Sequence, residues 1–138
     1  MPEIDDRTAA YILETRPHFE DLKQVASQLA GLLVLAAAGG KTATPDHPML
    51  AAADELYRSA AQGVRSSHAT IRARRHHTHL LRATETLGGA LFTARKDLHG
   101  PEVLARLRTA YDSLRCASKE LPGFELLTFE HGCCARPA

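Results

Sequence analysis

The chain has no tryptophan, and aromatic residues make up only 5% of it. No aromatics are interleaved with the arginines of the Arg58–His79 segment, so that segment lacks the stacking platforms that hold single-stranded nucleic acid. β-Branched runs are equally scarce, which removes the usual strand candidates. Cysteine is limited to Cys116, Cys133 and Cys134. An odd count of three does not make a disulfide framework. Together with the absence of a secretory signal, it points to a reducing, cytoplasmic setting. A net charge of +1 argues against a dedicated nucleic-acid binder, which carries a broad basic excess. The longest apolar run, Leu29–Ala38, is too short to span a bilayer. It follows an acidic leader where a signal peptide would need a basic one, so it reads as a helix buried on most sides. No Walker A loop, GxGxxG, serine elbow, HExxH or CxxCH occurs. The Glu-x-x-His pairs of a di-iron bundle are also missing. Enzyme activity is thus left without a catalytic signature.

What is present is helical. Alanine, leucine and arginine dominate, and all three favour helix. At 138 residues the chain fits one domain, residues 1–138, long enough to bury a core without disulfides. Its most informative stretch is Ser67–Leu98, whose second half places Leu80, Leu81, Thr84, Leu87, Leu91, Ala94 and Leu98 at helical spacing. Its first half holds Arg72, Arg74, Arg75, His76, His77 and His79.

From the start of the chain, Asp5 or Asp6 can cap a helix that Pro17 interrupts. Thr15 or Arg16 is expected to cap a second helix there, with Leu22, Val25, Leu29 and Leu32 in its stripe. The apolar rhythm nevertheless continues across Pro17 through Tyr11, Thr15, Phe19 and Leu22, so one long helix is the alternative. Gly39-Gly40 ends it. Thr44 or Asp46 is expected to cap the next helix, striped by Met49, Ala53, Leu56, Tyr57, Ala60 and Val64. A turn is expected between Gly63 and His68, because an unbroken helix from 46 to 98 would be roughly 80 Å long. Gly100-Pro101 separates the last helix, whose stripe includes Val103, Leu107, Leu114 and Ala117. Cys116 is expected to be a small buried residue of that helix. Pro122-Gly123 stops it, and the apolar Phe124, Leu126, Leu127 and Phe129 should dock. The expected fold is therefore all-α: an antiparallel up-down four-helix bundle with an N-terminal helical extension and an extended C-terminal tail, residues 123–138, docked on the bundle or on a partner subunit.

Three functional readings follow. The first is a small cytoplasmic bundle acting through protein–protein contacts, as a homodimer, because long apolar stripes and an apolar tail can bury a second copy. The second is a transition-metal or thiol-redox module. His76 and His79, three apart, share a helix face, while His131, Cys133 and Cys134 bring an imidazole and two thiols together. The third is anion or nucleic-acid binding through the Arg58–Arg82 face, carried by Arg72, Arg74, Arg75 and Arg82. Arg58, Arg65, Arg72 and His79 recur every seven residues, a ridge that a break near Gly63 would split. The plainer expectation is that the basic segment lies beside the acidic N-terminal segment, or faces water. Gly88-Gly89, inside a helical pattern, suits close helix approach.

Overall fold

The computed structural model describes residues 4–39 and 44–126. Four helices follow in order: α1 Asp6–Ala37, α2 Pro48–Ser66, α3 Arg74–Ala94 and α4 Pro101–Glu120. No strand occurs among the described residues. α1 packs most closely on α2, and α3 on α4. The start of α1 meets the start of α3 through Tyr11 and His76, and Arg75 reaches Glu120 at the end of α4. At the opposite end Arg95, following α3, pairs with Asp54 near the start of α2 at 3.0 Å. The helices therefore run alternately up and down.

α1 does not break at Pro17, and the N-terminal segment forms its first turns rather than a separate extension. Proline removes one backbone hydrogen bond, the one to the carbonyl of Leu13. Pro17 and Leu13 both face outward, so water can satisfy that carbonyl. The inward stripe is uninterrupted: Tyr11, Thr15, Phe19, Leu22, Val25, Leu29 and Leu32 are all buried. Each large apolar side chain in it contributes about 1.5–3 kcal/mol, which outweighs a loss confined to the solvent side. Asp5 caps the start, accepting a hydrogen bond from the Thr8 amide at 3.3 Å. Gly39 closes the end with φ +78°, the left-handed conformation that glycine tolerates.

The other boundaries move by a few residues. His47, not Thr44 or Asp46, caps α2: its Nδ1 accepts from the Met49 amide at 3.0 Å, with Pro48 in the first helical position. α2 runs through Gly63 to Ser66, and residues 67–73 form the connection. α3 consequently begins at Arg74, later than the sequence suggests, and ends at Ala94. The stripes of α3 and α4 are found as expected, with Leu80, Leu87, Leu91, Leu107 and Leu114 buried. Cys116 is exposed, in contrast to expectation; its neighbour Ala117 takes the inward position, one residue farther round the helix.

The internal glycines show how tightly the helices meet. A Cβ at Gly63 would overlap the His18 ring of α1. At Gly88 it would run into the Tyr57 hydroxyl, which donates to the Thr84 carbonyl at 2.8 Å, and at Gly89 it would meet Arg106. Gly88-Gly89 thus serves close helix approach. Gly63, near which the sequence suggests a break, is a packing position inside α2.

Candidate functional site

The basic block lands at the end of the bundle where α1 and α3 begin and α2 and α4 finish. It does not act as a unit. His76 is fully buried, and its Nδ1 lies 2.8 Å from the Tyr11 hydroxyl. The same hydroxyl lies 3.4 Å from Nδ1 of His77. Phe124 covers His76 with ring centroids 3.9 Å apart, and it also meets Phe19 edge-on at 5.3 Å. Nε2 of His76 has no partner among the described residues. Either tautomer satisfies the bond to Tyr11, and in both Nε2 is left unpaired. Burial, reinforced by His77 and His79, pushes the His76 pKa down to about 4. Burial also lowers that of His77, with His68 adding to the effect. The Tyr11 phenol is pushed up, again chiefly by burial. With both rings sealed from solvent, the Tyr11–His76 pair clasps the start of α1 to the start of α3.

His79 takes a different direction, with Nε2 3.9 Å from Glu120. His76 and His79 therefore share a helix but have different neighbours. No three His, Cys, Asp or Glu among the described residues converge as metal ligands. His131, Cys133 and Cys134 lie outside the described residues, as do Leu127 and Phe129. The docked anchor expected for the tail is present in its first residues: Phe124 is buried, Leu126 packs against the core, and the Glu125 carbonyl accepts from Lys23 Nζ at 2.7 Å.

The arginines also separate. Arg58 pairs with Asp54 at 3.0 Å, and the end of α2 at Ser66 splits the seven-residue ridge. Arg75 lies 3.7 Å from Glu120. Arg74 and Arg82 are exposed on α3. Arg72 lies in the connection and lines an open cleft of about 940 Å³ with Asp5, Arg7, Thr8, His68 and Thr70. Thr8 and Thr70 bridge its walls through hydroxyls 2.8 Å apart. The acidic start of α1 does lie beside the basic segment, but among the described residues the carboxylate that pairs with the block is Glu120 of α4.

A second candidate lies on α1, where apolarity is the only signal in the sequence. Between Lys23 and Lys41 the chain carries no charged residue. Gln24, Ser27, Gly31, Val34, Leu35 and Ala38, spaced by three and four, lie on the outer side of this helix. Val34 is 68% exposed and Leu35 40%. The expectation that Leu29–Ala38 is buried on most sides is thus not met within the single chain: Leu29, Leu32 and Ala36 face the core while the opposite side is bare.

No helix among the described residues is long and apolar enough to cross a membrane. No protein-family model, curated protein or solved structure matches this chain.

Proposed function

We propose that this protein is a helical interaction module of the cytoplasm that acts through protein–protein contact, as a homodimer. The observation that carries the reading is the exposed, uncharged outer side of α1. A surface helix ordinarily keeps charge on its outward face, and a helix that is apolar all round is one that is covered. Exposed apolar area concentrated in one patch marks a contact site more often than scattered residues do. The test is the mass in solution, by light scattering, as a function of concentration. A species of twice the chain mass supports the reading. A monomer at every concentration removes the homodimer.

The cleft favours a second reading, anion binding. Arg7, His68 and Arg72 converge on it, with Asp5 as the opposing charge. Titration with inorganic phosphate, followed by the amide resonances of residues 68–72, tests it. Saturable shifts that vanish in Arg72→Ala support an anion site. An unresponsive cleft rules it out.

A further inference from the structure

We infer that the furrow between α1 and α4 seats the chain's own next residues, 127–130, with the Phe129 ring over Ala30 and Val34. This seat needs only one chain and stands apart from the homodimer reading.

The path of the last described residues points there. At Gly123, with φ +94°, the chain turns back from the end of α4 onto α1. Gly123 lies against Ile12 and Arg16, Phe124 against Phe19, and the Glu125 carbonyl accepts from Lys23 Nζ at 2.7 Å. Ile12, Arg16, Phe19 and Lys23 are spaced by four, three and four, so they form one stripe of α1. The segment follows that stripe toward the end of the helix, and Leu126 still packs against the core. The same spacing carries the stripe on through Ser27, Ala30 and Val34, all three exposed.

Distance and shape agree. Lys23 to Val34 is about 17 Å of helix, which roughly five extended residues cover. Leu127 therefore reaches the height of Ser27, and Phe129 that of Ala30 and Val34. Ser27 and Ala30 are small and leave room beside them, while Val34, 68% exposed, and Leu104 of α4, 43% exposed, supply apolar walls. Arg106 meets Gly89 of α3, and Leu104 lies round the helix from it, on the side of α4 away from α3. α4 runs opposite to α1, so its first turns stand at the height of the later turns of α1. A segment tethered at Leu126 also meets this furrow at an effective concentration on the order of millimolar, an advantage over a free partner of the same chemistry. Gln24, Gly31, Leu35 and Ala38 lie farther round α1 and stay open to other contacts.

Methyl and aromatic NMR of the full chain tests this. The expected result is a nuclear Overhauser effect between the Phe129 ring and the Val34 methyls, undiminished on dilution. Truncation after Leu126 keeps the contacts of Phe124 and Leu126. It should abolish the effect and shift the Val34 and Leu104 methyls while leaving those of Val64 in place. Phe129→Ser is the variant of full length and should give the same shifts, and circular dichroism confirms that both remain helical. Val34 methyls that change in neither variant overturn the inference, as does a Phe129 contact found elsewhere on the bundle. A contact seen only between differently labelled chains in a mixed sample assigns the furrow to the tail of a second copy, and this also overturns it. The mass in solution, which decides the homodimer reading, alters none of these outcomes.

Discussion

Tyr11 and His76, 65 positions apart in sequence, meet with the phenol oxygen 2.8 Å from Nδ1 inside the bundle. This contact ties the first turns of α1 to the first turn of α3 at the end where the described helices carry their densest basic chemistry. It packs the His76 ring inside the bundle.

Acid should loosen the fold through His76. Its folded pKa of about 4 lies below the ordinary 6.5, so the unfolded chain binds the proton more readily. The stabilisation is complete above pH 6.5 and is lost as pH falls toward 4. A depression of this size corresponds to about 3 kcal/mol. The depressed His77 adds in the same direction, and Asp5, whose pKa is lowered by its bond with Thr8, acts only in stronger acid. Urea unfolding at pH 7 and pH 5 measures the difference. His76→Gln, which keeps a partner for Tyr11 but does not titrate, should flatten most of that slope.

Removing the phenol should be costly at neutral pH. Tyr11→Phe leaves the buried Nδ1 of His76 without its 2.8 Å partner, and an unsatisfied buried group costs about 1–3 kcal/mol. Denaturant midpoints read this directly. A loss below about 0.5 kcal/mol would mean that His77 or water replaces the hydroxyl.

Glycine-to-alanine changes should split by position. Gly63→Ala drives a methyl into the His18 ring and should destabilise by about 1–3 kcal/mol. Gly31→Ala meets nothing within 4 Å among the described residues and should raise monomer stability by about 1 kcal/mol. Thermal melts at low protein concentration compare the two without contribution from association.

Phe124 should behave as a core residue despite following the last helix. It is 2% exposed and lies against Phe19 and His76. Phe124→Ala should cost about 3–5 kcal/mol. It should also raise the pKa of His76, because the ring that excludes water from the imidazole is gone. Proton NMR of the imidazole follows that shift; an unchanged titration would show that Phe124 does not seal the histidine.

Charge reversal at Arg75 should matter little. Its side chain is 81% exposed and lies 3.7 Å from Glu120, and such surface pairs contribute about 0–1 kcal/mol. Arg75→Glu should therefore shift the midpoint of unfolding only slightly. A large loss would reveal a role for this arginine beyond its contact with Glu120.

The helices were legible because their signals are local. Leu80, Leu87 and Leu91, or Val103, Leu107 and Leu114, repeat at helical spacing whatever they pack on, and Gly39 and Pro101 punctuate the chain through their own backbone restrictions. Cys116 was misplaced because a single apolar residue at the edge of a stripe faces in or out by one helical step. Spacing puts His76 and His79 on one helix but does not set their environments: one is sealed by Phe124 and the other reaches Glu120.

The sequence by itself determined four helices and their inward stripes, since periodicity, capping and glycine–proline stops act within a few residues of one another. Only the tertiary structure decided that α1 continues through Pro17, because water on the outer side and buried neighbours on the inner side must be weighed together. It alone joined Tyr11 to His76, and it alone showed that Leu29–Ala38 turns half its apolar surface outward. An apolar run states how much surface needs cover, and only the arrangement of its neighbours tells which side receives it.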